Sequence, residues 1–161
     1  MITVRVAQEK DAEEILALLQ QVLELHAKIR PDMFVSGTTK YSYDEVIEII
    51  NDKSRRCYVA VDENERVLGH ALCIVREPTV QPFLVPFRSL YIDDLCVDES
   101  ARGKHIGTAL FDYVKEEALR LSCYEITLNV WEGNDGAIAF YERLGMKPKS
   151  SNLELVLKSS N

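Results

Sequence analysis

A short basic turn between an apolar, strand-like segment and an amphipathic helical segment constrains the fold of this chain most. The turn consists of Arg102, Gly103, Lys104 and His105. It follows the apolar residues 89–97 and precedes a helical pattern over residues 106–121. A strand that enters a helix through such a turn brings together unpaired backbone N–H groups and the positive end of the helix dipole. The pattern therefore predicts a site that suits a pyrophosphate, although an ordinary helix start with solvated basic side chains stays open.

Two common phosphate-binding loops do not match this turn. The Gly-Lys-Ser/Thr ending and the spacer of a Walker loop are missing, and so is the three-glycine spacing of a Rossmann loop. The glycines Gly103 and Gly107 are still informative. A residue without a Cβ allows a close approach of the backbone to a ligand and adopts positive φ at little cost.

A second motif lies downstream, where residues 134–145 predict one short helix. Asn134 is a favourable N-cap residue, and Gly145 is favourable just beyond the last turn. Asn134 and Tyr141 are seven residues apart, so two helical turns bring them to roughly the same face. A cap that only caps and a tyrosine that only packs are the alternative interpretation.

Together the two segments resemble the GCN5-related N-acetyltransferases, whose pattern is Arg/Gln-x-x-Gly-x-Gly/Ala followed by Asn-x-x-Ala-x-x-Phe-Tyr-x-x-x-Gly-Phe. The match is strongest over residues 90–147. His105 departs from the pattern at its first glycine, and Met146 replaces its final Phe. The resemblance implies an α/β domain with a mixed, mostly antiparallel central sheet flanked by helices. Its central strands, which carry Asp94 and Asn129, are expected to splay apart and form the acyl-CoA cleft.

The resemblance also implies roles for individual residues. Tyr141 would protonate the departing CoA thiolate, the backbone N–H of Val97 would polarise the acetyl carbonyl, and Asp93 or Asp94 would bind or deprotonate the amine. The residues expected to bind acetyl-CoA are Leu95, Cys96, Val97, Arg102, Gly103, Lys104, His105, Ile106, Gly107, Thr108, Asn134 and Tyr141. The acetyl group would pass directly to the amine, so neither a cysteine nucleophile nor a metal is expected.

The two aspartates stand next to each other inside an apolar strand pattern. Adjacent residues of a strand point to opposite faces, so only Asp93 or Asp94 can face the cleft unless a bulge intervenes. A structural carboxylate that is satisfied by backbone or arginine is an equally weighted alternative.

The composition predicts the number of domains, the location of the protein, the state of its cysteines and the charge of its partners. The 161 residues are 47% hydrophobic, which suffices for one core, and no linker divides the single domain expected over residues 1–161. No signal peptide or membrane-spanning stretch is recognisable, so the sequence predicts a cytoplasmic protein without membrane association. The four cysteines lack Cys-x-x-Cys spacing and predict reduced core thiols. A net charge of −7 opposes nucleic-acid binding and would attract cationic substrates.

Other elements follow from periodicity and capping. We expect a strand over residues 2–6, a helix capped by Asp11, a helix that begins with the capping box of Ser42 and Glu45, and a hairpin over residues 57–75. The proline-containing residues 77–88 cannot form a central strand. Further strands are expected over residues 125–130 and 147–157. His26 and His70 lack metal-ligand spacing and predict structural histidines.

These patterns lead to an acetyl-CoA-dependent N-acetyltransferase that acts on a primary amine of a small molecule or peptide. A noncatalytic domain that binds or senses acyl-CoA is the alternative from another class, and a transferase of a longer acyl group is a second enzymatic one. The resemblance implies a candidate homodimer, because members of the family commonly associate through their terminal strands.

Overall fold

Five strands form one mixed sheet in the computed structural model, which describes residues 1–158. The strands are β1 (Thr3–Val6), β2 (Arg55–Val61), β3 (Val67–Arg76), β4 (Ser89–Val97) and β5 (Glu125–Leu128). Their spatial order equals their order along the chain. The first four strands are antiparallel neighbours, and β5 runs parallel to β4. The mixed, mostly antiparallel α/β fold predicted from the sequence is therefore confirmed.

Four α-helices flank this sheet in the part of the chain that the structure describes. They are α1 (Ala12–Ile29), α2 (Tyr43–Asn51), α3 (Ile106–Arg120) and α4 (Asp135–Arg143). Helix α3 supplies the crossover between β4 and β5, which a parallel connection requires. No helix within residues 1–158 is both long and apolar enough to cross a membrane.

The sheet separates two apolar clusters, because side chains alternate along each strand. On β2, Val59 and Val61 pack with helices α1 and α2, whereas Tyr58 and Ala60 pack with helix α3. All four side chains are buried. Helix α4 lies at the edge of the α3 side, where Tyr141 is partly buried against that cluster.

Local capping signals in the sequence form as expected. The Ser42 hydroxyl accepts from the N–H of Glu45 at 3.2 Å, and the Glu45 carboxylate accepts from the N–H of Ser42 at 3.1 Å. Asn134 is the N-cap of α4, and Gly145 follows that helix with a φ of +92°. Both helices therefore begin or end where their caps predict.

Two local predictions need correction. Asp11 is the N-cap residue of α1 as predicted, but its buried carboxylate binds Arg5 and the N–H of Gln8 and makes no capping hydrogen bond to α1. Residues 147–158 contain no strand in the part of the chain that the structure describes. Their alternating Leu153, Leu155 and Leu157 are more than 80% exposed. Alternation predicts which residues could share a strand face, but a strand also needs a neighbour for its backbone hydrogen bonds.

Candidate active site

The pairing between β4 and β5 stops before β4 does. Residues Ser89–Ile92 pair with Glu125–Leu128, whereas β4 continues to Val97. Asn129, the residue after β5, donates its side-chain amide to the Tyr91 hydroxyl at 3.2 Å. The sheet thus opens beside residues 93–97 of β4.

A β-bulge places both aspartates on the same side of this opening. In the β3–β4 register Leu72 lies opposite Asp94, and Cys73 lies opposite Ile92, so Asp93 is the extra residue. A bulge interrupts the alternation of side chains. Asp93 and Asp94 both contact groups on the α1 and α2 side of the sheet, which is the bulge alternative left open by the sequence.

Asp93 is engaged by groups from the connection between α1 and α2. Lys40 Nζ donates to Asp93 Oδ1 at 2.9 Å, and the Tyr41 hydroxyl donates to Oδ2 at 2.6 Å. A guanidinium nitrogen of Arg55 lies 3.7 Å from Oδ2. Burial lowers the pKa of Lys40, but its hydrogen bond to Asp93 and the nearby negative charges together outweigh burial and raise that pKa overall. The charge of Asp93 is therefore compensated within the protein.

Asp94 has a different environment. Its Oδ2 forms a short hydrogen bond with Nε2 of His70, whose side chain is completely buried on β3. His26 of α1 faces the same carboxylate; burial lowers the pKa of His26 although Asp94 opposes this shift. His26 is therefore a neutral imidazole at pH 7. The Asp94 carboxylate thus lies near two imidazole rings, the completely buried ring of His70 and the half-buried ring of His26.

Tyr141 of α4 packs at the edge of the apolar cluster on the α3 side of the sheet. Burial raises the pKa of the Tyr141 hydroxyl, and the negative charge of Asp94 raises it further. The hydroxyl is thus protonated at neutral pH and is available as a donor. The Tyr141 phenol is therefore near enough to the Asp94 carboxylate for that charge to affect its pKa.

The basic turn has the properties of an anion site. Arg102, Gly103, Lys104 and His105 are all exposed. His105 is the N-cap residue of α3 with φ +60° and ψ +23°, and its side chain makes no capping hydrogen bond. No acidic residue stands in the first turn of the helix. The first N–H groups and the helix dipole are therefore left to a ligand, and the residues present fit a CoA pyrophosphate.

Gly107 has a packing role as well. A Cβ at this position would lie 3.1 Å from the ring of Phe140 on α4 and 3.7 Å from Val97 on β4. The end of β4, the first turn of α3 and helix α4 therefore meet at this glycine. This junction brings together the three segments that the sequence associates with the cofactor.

The sequence patterns missed several neighbours of the opening. Lys40 and Arg55 carry no motif, although both lie near Asp93. On the side of α1, Phe34 packs edge-on against Trp131, and the Arg30 guanidinium lies 5.7 Å from the Trp131 ring centroid. Trp131 follows β5, so this aromatic and cationic cluster lies beside the opening.

The cysteines are poor nucleophiles. Burial raises the pKa of Cys57 to about 11 and that of Cys96 to about 12. All four cysteines are free thiols. Within residues 1–158, no group of three or more His, Cys, Asp or Glu side chains is arranged to hold a metal ion.

The family model described as "Acetyltransferase (GNAT) family" matches residues 19–146. The chain belongs to this family. As a GNAT protein it is an acyltransferase, and members of the family use acetyl-CoA as their cosubstrate. The resemblance found in the two motifs is therefore confirmed.

Individual GNAT relatives agree with this membership. A thialysine N-epsilon-acetyltransferase of Bos taurus is 26% identical over 153 residues, which cover 89% of this chain and 83% of the relative. A glucosamine 6-phosphate N-acetyltransferase of Arabidopsis thaliana is 32% identical over 60 residues, or 37% of this chain and 38% of the relative. The structure of a mutant of the BH1408 protein from Bacillus halodurans is similar with a TM-score of 0.93 and 31% identity. That similarity covers 97% of this chain and 99% of the other.

Proposed function

We propose that this protein is an acetyl-CoA-dependent N-acetyltransferase, a single domain over residues 1–161, that acetylates a primary amine of a small molecule or peptide. The observation that carries the proposal is the opening between β4 and β5, where β4 carries Asp94 and where α4, which carries Tyr141, meets the end of β4. Asp94 is a proton acceptor and Tyr141 is a proton donor. Direct transfer to an amine needs one of each.

The cofactor residues suit the proposal. Acetyl-CoA supplies the acetyl group as a thioester when bound. The turn from Arg102 to His105 would hold its pyrophosphate, with the first turn of α3 through Ile106, Gly107 and Thr108. The ends of β4 (Leu95, Cys96 and Val97) and of α4 (Asn134 and Tyr141) would position the rest of the cosubstrate. In the structure the Asn134 side chain accepts from the N–H of Ala137 at 3.4 Å.

Asp94 is the better candidate for the general base. A lysine-like amine is about one part in 2,500 neutral at pH 7, equivalent to roughly 4.6 kcal/mol, so removal of its proton matters. The oxygens of Asp93 already accept from Lys40 and Tyr41. We therefore assign proton removal to Asp94. Asp93 holds Lys40 and Tyr41 in place at the acceptor side.

A cationic acceptor is the substrate class that the charges favour. A groove on the α2 side next to Asp93 is lined by Tyr41, Glu45, Glu48, Ile49, Asp52 and Arg55. Three of these six side chains are acidic, against one arginine. Both relatives are named for the N-acetylation of small molecules, which supports a small-molecule amine.

The deciding experiment follows CoA thiol release from acetyl-CoA with a panel of amines, using the wild type, Tyr141→Phe and Tyr113→Phe. If Tyr141 protonates the departing thiolate, its Phe variant loses about tenfold to a few hundredfold in kcat. Calorimetry should show that CoA binding survives, because the ring is retained. Tyr113 of α3 packs on Tyr58 with a centroid separation of 4.8 Å, so the same change there tests the loss of a hydroxyl alone.

Unchanged kcat in Tyr141→Phe would refute the acid role. Binding of CoA without turnover of any amine by the wild type would instead support a domain that binds or senses acyl-CoA. Longer acyl-CoA thioesters in the same assay distinguish the second enzymatic alternative. A thioester with a longer chain that is used faster than acetyl-CoA would make that alternative correct.

We also propose a homodimer and a cytoplasmic location. The exposed leucines of residues 147–158 support the former, because a monomer rarely leaves such an alternating apolar segment in water. A second copy of this chain is the occupant that we assign to it. Free thiols at all four cysteines are compatible with a reducing compartment.

A further inference from the structure

We propose that His70 is a positioning residue that holds Asp94 as an ionised, oriented carboxylate at the opening between β4 and β5. This inference rests on the proposed function, in which Asp94 accepts the proton of the amine. His70 itself does not contact the substrate, because its side chain is completely buried. It acts through Asp94.

The geometry places one end of the imidazole on Asp94 and the other in the core. Nε2 of His70 hydrogen-bonds Asp94 Oδ2. The Asp94 side chain keeps 9% of its surface exposed, while that of His70 keeps none. Asp94 therefore connects a buried histidine on β3 with the opening.

The unpaired nitrogen of His70 sets the charge of the pair. Its Nδ1 is buried and has no hydrogen-bond partner within the described residues. When Nε2 carries the proton and donates it to Asp94, Nδ1 is only an unmatched acceptor. A second proton would create a buried N–H without an acceptor beside it, which is unfavourable. The pair thus keeps one negative charge, and that charge resides on Asp94.

Four other titratable groups face Asp94. They are His26 from α1, Lys40 from the α1–α2 connection, Cys96 from β4 and Tyr141 from α4. Lys40 is bound to Asp93, and the Tyr141 hydroxyl stays protonated at neutral pH. His70 is the group among these five that hydrogen-bonds Asp94, and its Nε2 is the donor when Asp94 is a carboxylate. A donor to a carboxylate favours its charged form.

The proton passes directly from the bound ammonium to Asp94. An N–H bond of the bound ammonium breaks, an O–H bond forms on the Asp94 carboxylate, and the nitrogen lone pair is freed to attack. His70 stays neutral and keeps the carboxyl group oriented during this step. Asp94 subsequently returns the proton to solvent.

The experiment compares His70→Leu, which removes the donor, with His70→Gln, which retains one. Val59→Ala is the matched control, since Val59 lies directly opposite His70 on β2 and is completely buried. The pH dependence of kcat/KM is measured for each variant. In His70→Leu the acid limb should move to higher pH by about one unit, because an ionised carboxylate that loses a donor becomes easier to protonate.

His70→Gln should restore most of this displacement, and Val59→Ala should leave the limb unmoved. If His70→Leu and Val59→Ala both lose stability while their pH profiles match that of the wild type, His70 is structural and the inference is wrong. A profile of His70→Gln that equals that of His70→Leu would contradict the donor role as well.

A direct titration separates this inference from the proposed function. The side-chain carboxyl carbon of Asp94 is followed by NMR across pH in the wild type, His70→Gln and His70→Leu, with its signal assigned by loss in Asp94→Asn. The measurement needs no turnover. A displaced titration in His70→Leu upholds the positioning role even if no amine is acetylated, whereas identical titrations overturn it even if the enzyme is active.

Discussion

Hydrogen bonding separates the chemistry of the two neighbouring aspartates. Asp93 accepts from Lys40 and Tyr41, which are 53 and 52 residues away in the chain. Asp94 bonds instead to His70, 24 residues away. The same residue type therefore supplies a fixed anchor at one position and, in the function that we propose, a proton acceptor at the next. The extra residue of the β4 bulge makes this division feasible, because it puts both side chains on one side of the sheet.

His105 departs from the family pattern at a position where the backbone favours glycine. Its φ of +60° lies in the left-handed region, which a histidine adopts more readily than most residues but at some cost. We expect His105→Gly to fold with equal or slightly higher melting temperature and to retain activity. The imidazole also stands in the basic turn, where a ring N–H group is a candidate donor to a bound anion.

Calorimetric titration of both proteins with CoA tests this second role. His105→Gly should bind CoA more weakly than the wild type, because it lacks the ring donor. Much tighter binding by the glycine variant would show that the natural histidine obstructs the anion site.

The sequence predicted the acidic pair, the tyrosine and the turn because each belongs to a contiguous pattern. It could not identify Lys40 or His70 as neighbours of the aspartates. Those contacts arise only when the α1–α2 connection folds over β4 and when β3 pairs with it. The local sequence around a lone lysine in a polar loop, or around a histidine in an apolar strand, does not indicate which distant residues it contacts in the fold.

Helix ends were predicted correctly where both interacting groups lie within about one turn of each other in the sequence. The capping box of Ser42 and Glu45 and the glycine that ends α4 are such cases. Residues 147–157 show the opposite. Their alternation is typical of a strand, but they have no neighbouring strand to pair with within residues 1–158. Pairing of strands depends on the whole fold.

Helices α3 and α4 pack closely where Gly107 meets Phe140. A Cβ at Gly107 would lie 3.1 Å and 3.3 Å from two ring atoms of Phe140, while one at Gly136 of α4 would meet nothing within 4 Å. Both glycines lie in helices, where alanine is intrinsically better by about 1 kcal/mol. We expect Gly136→Ala to raise the melting temperature. Gly107→Ala should lower it, since overpacking costs about 1–3 kcal/mol.

The same pair of variants reports on function. Displacement of α4 by Gly107→Ala moves Asn134 and Tyr141 relative to the turn, so KM for acetyl-CoA should rise. Thermal unfolding and steady-state kinetics of both variants provide the measurements. A Gly107→Ala protein that is as stable as Gly136→Ala and has an unchanged KM would show that the Phe140 ring yields without consequence.

The surface of the molecule has an acidic groove and, away from it, two exposed apolar segments. The net charge of −7 suits a protein that attracts cations, in line with the acidic groove beside Asp93. Apolar exposure is concentrated elsewhere, in residues 77–88 and 147–158. Val80, Phe83 and Val85 of the first segment are each more than 80% exposed. The second segment is held to the body of the protein by ion pairs from Lys149 to Glu125 and from Arg30 to Glu154.

Those ion pairs keep residues 147–158 close to β5 and α1 without burying their leucines. Full burial of one leucine side chain contributes about 1.5–3 kcal/mol, so a second copy that covered Leu153, Leu155 and Leu157 would gain substantially. A single chain does not gain this free energy, because the three leucines stay exposed within residues 1–158. Association through this segment would also supply the backbone neighbour that a strand needs.

We therefore expect the wild type to be a dimer in size-exclusion chromatography with light scattering, over a series of protein concentrations. The double variant Leu153→Glu and Leu155→Glu should be a monomer, because two charges would have to enter the interface. Val80→Glu with Val85→Glu makes the same change in the other exposed apolar segment and should stay dimeric. A monomeric wild type at all concentrations would contradict the dimer, and a monomer produced only by the Val80 and Val85 variant would move the interface to residues 77–88.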